Sequence, residues 1–138
     1  MLATRDSKCY VCGPDNPQGL QVPFQRYEPN GSVAHYRARP EHGGWNGILH
    51  GGVTFALMDE ALGWALFYQD HPAVNARAGT KFHKPVPVGA EVVVKAWVVR
   101  KKGDFLKPTR RYGWTTRRAR CWLSRMQPCT RSNPHIRN

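Results

Sequence analysis

Between His50 and Phe67 the chain runs His-Gly-Gly and then an almost unbroken apolar stretch, with two adjacent carboxylates, Asp59 and Glu60, in its middle. The stretch reads as a helix over 51–68, roughly 27 Å long at the usual rise. A helix that is apolar on nearly every side is normally buried. A carboxylate placed inside such a helix is costly unless it is paired or used. The pair of acids also argues against a membrane span, since each would cost roughly 2.5–3.5 kcal/mol at a bilayer centre. Met1 to Lys8 is short and polar and does not read as a signal sequence. The expectation is a soluble, cytoplasmic protein.

Charge divides the chain. The 138 residues carry a net charge of +12. Residues 1–99 are nearly neutral, and residues 100–138 hold twelve Lys/Arg against one acid, Asp104. The basicity belongs to the tail, so a nucleic-acid role would rest on that tail alone, and none is expected. Two regions follow: a domain at 1–103 and an atypical basic tail at 104–138. The tail has no sustained period of 2 or 3.6, and its Arg-rich text with scattered Trp and Cys is of the kind a shifted reading frame produces in a GC-rich gene, the alternative being a genuine basic extension.

Within the first region the pattern is β-β-α-β-β. Leu20, Val22 and Phe24 alternate with polar neighbours, Pro29-Asn30-Gly31 signals a hairpin turn, and Ala34, Tyr36 and Ala38 share a strand face. Asp70-His71-Pro72 ends the helix. From Val74 to Lys84 the text alternates again, with Ala76, Ala78, Thr80 and Phe82 opposite Arg77, Gly79, Lys81 and His83. A valine-rich strand runs from Glu91 to Arg100, before a Lys102-Gly103-Asp104 turn. One helix among antiparallel strands is an α+β architecture.

Cys9 and Cys12 form a C-x-x-C, while Cys121 and Cys129 stand in the tail with seven residues between them. Zinc ribbons use two closely spaced pairs. The second spacing is poor, so the expectation is two reduced, packed cysteines and no metal.

The chain resembles the hotdog-fold acyl-CoA thioesterases of the phenylacetate-pathway (PaaI-like) type. The residues that carry the match are Cys9-Tyr10-Val11-Cys12-Gly13, Asn16-Pro17-Gln18-Gly19-Leu20, Gly47-Ile48-Leu49-His50-Gly51-Gly52, Asp59-Glu60-Ala61 and Phe82-His83-Lys84-Pro85-Val86-Pro87-Val88-Gly89. They span residues 8–103. The resemblance implies a hotdog fold: a long central helix wrapped by a curved antiparallel sheet, with the last strands lost or altered in this chain. It also implies a homodimer or homotetramer with active sites between protomers, and hydrolysis of acyl-CoA to acid and CoA without a cofactor. A hotdog enoyl-CoA hydratase or dehydratase, or a non-catalytic acyl-CoA binder, stays open as an alternative.

Site residues follow from the same match. The first N–H groups of a helix lack internal partners and favour negative charge. Gly52 is expected to hold the thioester oxygen, with Gly51 as second choice. Asp59, nine residues after His50, is expected to activate water as general base or to act as nucleophile. Glu60 points about 100° away and is the second candidate. His50 would orient the thioester or shape the turn. Asn46 and Asn75 are candidate substrate or water contacts. Lys81, His83 and Lys84 are candidates for the CoA phosphates, with Arg77 another option. Trp45, Trp64 and Phe67 would line an acyl pocket or pack in the core.

Overall fold

The computed structural model describes residues 6–75 and 78–98 in full, and beyond them the backbone of 101–102, 105–106, 112–116 and 119–123. Its elements are β1 (Phe24–Tyr27), β2 (Gly31–Arg37), a 3-10 turn (Pro40–His42), α1 (Gly51–Phe67), β3 (Glu91–Trp97), β4 (Lys101–Lys102), β5 (Phe105–Leu106), β6 (Tyr112–Thr116) and β7 (Ala119–Leu123). One antiparallel sheet has the order β1-β2-β3-β6-β7, and β4 and β5 form a separate small hairpin. Helix α1 packs on β1, β2 and β3.

The register explains the core. Ser32 faces Ala96, Ala34 faces Val94, and Tyr36 faces Val92 across β2 and β3. All six side chains are buried, while His35, Arg37 and Glu91 point outward. Period-2 alternation therefore sets which face meets the helix. Small residues on that face let α1 lie close, and the fully buried Ser32 hydroxyl donates to the Ala61 carbonyl. From the helix side, Thr54, Leu57, Met58, Ala61, Leu62, Ala65 and Leu66 form the buried stripe. Leu57 and Leu62 are at most 1% exposed, each contributing about 1.5–3 kcal/mol by burial.

The stop of α1 is local chemistry. Asp70 adopts a left-handed φ of 58°, which a short polar side chain tolerates. The chain turns so that the His71 N–H donates to the Leu66 carbonyl at 3.1 Å, the six-to-one bond of a Schellman stop. At the other end, the approach to the helix is clamped. Leu49 N–H donates to Val86 O at 2.8 Å, Val88 N–H to Gly47 O at 2.9 Å, and His50 N–H to His42 O at 3.0 Å. His42 is held in turn by its Nδ1 contact with the Tyr36 hydroxyl at 2.6 Å.

Three features differ from the sequence reading. Helix α1 is not buried on all sides: Phe55, Ala56, Asp59, Glu60, Gly63 and Trp64 are half-buried, because the sheet covers one stripe only. The described residues of the alternating stretch 74–84 are not in a strand. They make no ladder, and Val74 is 92% exposed. Alternation describes a face; a strand also needs a neighbour for its N–H and C=O groups. Finally, although side-chain periodicity fails after Gly103, the backbone is extended again in β6 and β7, and β6 pairs with β3. The rest of the basic tail, at 104, 107–111, 117–118 and 124–138, lies outside the described residues, as do Ala76 and Arg77.

Candidate active site

His50 is the N-cap of α1. Its backbone is extended, with φ −60° and ψ 133°, and its ring Nδ1 accepts the Gly52 N–H at 2.9 Å. The bond needs the Nδ1 lone pair, so the ring proton of neutral His50 sits on Nε2. A side chain at residue 52 would bring its Cβ within 2.9 Å of His50 Nδ1, so a glycine is required for the ring to sit there. Gly44 lies against the other side of the ring. The His50 carbonyl takes the N–H groups of Val53 and Thr54 at 3.0 and 3.1 Å. Among the described residues, the Gly51 N–H meets no acceptor. Of the two expected donors, the Gly52 N–H is engaged by the cap, and the Gly51 N–H is open among the described residues.

Asp59 sits two turns further along, half-buried. Asn75 Nδ2 donates to Asp59 Oδ1 at 2.5 Å. The sequence singled out both residues separately, and the chain reversal after α1 brings them together. The bond orients the carboxylate and leaves Oδ2 for another partner. Ala56 and Gly63, one turn either way, add little bulk beside it.

Glu60 has a different neighbourhood. Its Oε1 accepts from Cys12 Sγ at 3.1 Å, and its Oε2 lies 3.8 Å from Cys9 Sγ. The two acids therefore serve different flanks of the helix. Burial, and then the adjacent Glu60, push the Cys12 thiol up to about 12. His42 is shifted the other way: burial, then the Arg39 charge, lower it below the ordinary histidine value, with Glu41 opposing.

The remaining candidates are peripheral. Asn46, Lys81, His83 and Lys84 are exposed, and no contact among the described residues gathers them into one cluster. Trp45 is 85% exposed. Trp64 is core-like, stacked on Phe24 and edge-on to Phe67. The sequence reading missed Phe82 as a neighbour of the helix start. Its half-exposed ring lies within 3.8 Å of where a side chain on Gly51 would begin. The only signal was its place in Phe82-His83-Lys84-Pro85, beside the segment that clamps the helix entry.

Comparison with known proteins bears on the fold. A family profile described as the thioesterase superfamily matches residues 46–107. A solved thioesterase superfamily structure superposes with a TM-score of 0.74 at 22% identity, over 87% of this chain and 61% of that one. A variant of the phenylacetic acid degradation protein PaaI from Thermus thermophilus gives 0.65 at 25% identity, over 75% of this chain and 88% of that one. Among curated sequences, methylthioribose-1-phosphate isomerase of Aquifex aeolicus is 43% identical over 62 residues. That match spans 44% of this chain and only 13% of the isomerase. The fold is the hotdog fold, and residues 46–107 are similar to the thioesterase superfamily, whose matching solved structures include PaaI. No helix among the described residues is long and apolar enough to cross a membrane.

Proposed function

We propose that the protein hydrolyses acyl-CoA thioesters. The observation that carries this reading is the Asn75–Asp59 pair at 2.5 Å on a helix whose start presents an open Gly51 N–H. Asp59 removes a proton from water as the water oxygen attacks the thioester carbonyl. The oxyanion is held by the Gly51 N–H at the positive end of the helix dipole. The C–S bond then breaks, and the departing thiolate takes up the proton carried by Asp59. Asn75 holds the carboxylate with one oxygen turned to the water. The Gly52 N–H becomes a second donor when the His50 ring moves aside. In this reading the exposed Lys81, His83 and Lys84 supply cations for the CoA phosphates, and Phe82, near Gly51, supplies an apolar contact beside the thioester.

Helix geometry gives this chemistry a quaternary consequence. Gly51 and Asp59 are eight residues apart, about 12 Å along the axis. A reacting carbonyl and its attacking water need partners within about 3 Å. One chain cannot supply both groups to one thioester, so the helix start of one protomer is completed by the acid of another. The half-buried stripe around Asp59 is then the face a second copy covers. A homodimer is the smallest assembly that does this.

The test is a panel of short, medium and aryl acyl-CoA thioesters, followed by the release of free CoA thiol, with sedimentation of the same sample. CoA release by a dimer or larger assembly is expected. Absence of release across the panel overturns the proposal, and loss of absorbance from an enoyl-CoA without thiol release would indicate hydration instead.

A further inference from the structure

We propose that Cys9, Cys12 and Glu60 form a zinc site that clips the N-terminal loop to helix α1. The three side chains are half-buried, and their ligand atoms all lie within 4.8 Å of one another. Both cysteines are free thiols. Zinc held by sulfur at about 2.3 Å and carboxylate oxygen at about 2.0–2.2 Å in a tetrahedron needs ligand atoms roughly 3.4–3.8 Å apart. Cys12 Sγ lies 3.1 Å from Glu60 Oε1 and Cys9 Sγ lies 3.8 Å from Oε2, so each sulfur faces its own carboxylate oxygen at close to that span, and a small turn of the carboxylate would present one oxygen to both. The sequence reading looked for a second cysteine pair and found the tail spacing unsuitable. The third ligand is instead a carboxylate from a distant helix, 48 residues beyond Cys12.

The scaffold is set independently of any ion. Gly13 N–H donates to Cys9 O at 2.9 Å, Cys9 N–H to Asp6 O at 3.0 Å, and Asp15 N–H to Ser7 O at 2.9 Å. A Cβ on Gly13 would fall 2.4 Å from both Cys9 N and Ser7 O, so only glycine closes this turn. The loop is anchored to the domain through Leu20 N–H to Tyr10 O and Val22 N–H to Val11 O, at 2.8 and 2.9 Å. These bonds set the loop backbone, and both sulfurs face Glu60 from it.

The donor set selects the ion. Two thiolates and one carboxylate suit zinc, whereas magnesium and calcium take oxygen ligands alone. On binding, each S–H bond breaks and its proton passes to solvent, while Glu60 enters as its anion. Three protein ligands leave a fourth position for water. The site fixes Glu60, next in sequence to Asp59, and so ties the loop to the middle of the helix.

The experiment is a titration of the full, reduced chain with cobalt as a spectroscopic substitute, followed by zinc competition against a chromophoric chelator. One ion per chain is expected, with thiolate-to-cobalt charge transfer and the visible bands of tetrahedral cobalt, and zinc should raise the melting temperature. Cys9→Ser and Cys12→Ser should remove the charge-transfer band, and Glu60→Gln should weaken binding by at least about tenfold, the scale on which ligand-shell changes act. Absence of the band in the wild type, with its thiols verified as reduced, overturns the site. So does a band unchanged in Cys9→Ser and Cys12→Ser, which would assign it to Cys121 and Cys129. The wild-type titration decides even where a variant folds poorly.

Discussion

Replacing His50 with alanine separates the two roles the sequence left open for it, holding the thioester or shaping the turn. In the structure the ring accepts the Gly52 N–H at 2.9 Å and caps the helix. Loss of a side-chain cap costs about 0.5–2 kcal/mol. His50 and Gly52 are both exposed, so water replaces the lost acceptor and the cost belongs at the lower end, about 0.5–1 kcal/mol. For a chain of this length that is a fall of roughly 2–5 °C in melting temperature. Thermal unfolding by circular dichroism measures it. The Gly52 N–H is freed in the variant, so thioester hydrolysis should stay within about tenfold of wild type, or about 1.4 kcal/mol in the barrier. A variant that melts with the wild type yet loses turnover entirely refutes the capping argument and makes His50 a direct substrate contact.

Other perturbations report on neighbouring parts of the account. Gly52→Ala should lower the melting temperature, because its Cβ would press on His50 Nδ1, whereas Gly51→Ala meets only ordinary contact with Phe82 at 3.8 Å and should melt at or above wild type; equal melting of the two defeats the cap geometry. Leu62→Ala, at a position 1% exposed, should cost about 2–5 kcal/mol in denaturant unfolding, and a loss well under about 1 kcal/mol would mean that α1 is not seated on the sheet as described. His42 should titrate by NMR below its ordinary 6.5, since burial and Arg39 disfavour its charged form. The unfolded chain then binds the extra proton first, so the stability His42 contributes is complete above about pH 6.5 and is lost as pH falls through the lower folded value; a titration above about 6.5 reverses that sign.

The helix was legible because its evidence is local. The apolar stretch, the His-Gly-Gly entry and the Asp70-His71-Pro72 stop are all written in one short segment, and α1 runs over Gly51–Phe67. Strands β2 and β3 were legible from alternation, which one buried face imposes. The stretch at 74–84 misled because alternation is only half of a strand, and nothing in those residues specifies who supplies the ladder. Strands β6 and β7 were obscured for the converse reason. Pairing is a backbone property, and it forms where the side chains carry little pattern.

At the site, the link between Asn75 and Asp59 depended on how the chain returns after the helix, so sequence could nominate both residues without joining them. The partition of the two acids was read correctly in direction: about 100° on a helix sends Asp59 and Glu60 to different flanks. What the spacing could not give was the destination of Glu60. Its neighbours Cys9 and Cys12 lie 51 and 48 residues away in sequence. The engagement of the Gly52 N–H rests on a single ring nitrogen, set by the loop that the Tyr36–His42 contact and the Val86–Val88 clamp hold in place.

The central claim is that the Asp59 carboxylate activates water, and Asp59→Asn tests it most directly. Asparagine keeps the shape and can still meet Asn75, so melting temperature and KM should stay near wild type. Turnover of the preferred acyl-CoA should fall by about 100- to 10,000-fold, the usual contribution of a positioned general base. An Asp59→Asn protein that releases CoA at the wild-type rate contradicts the account.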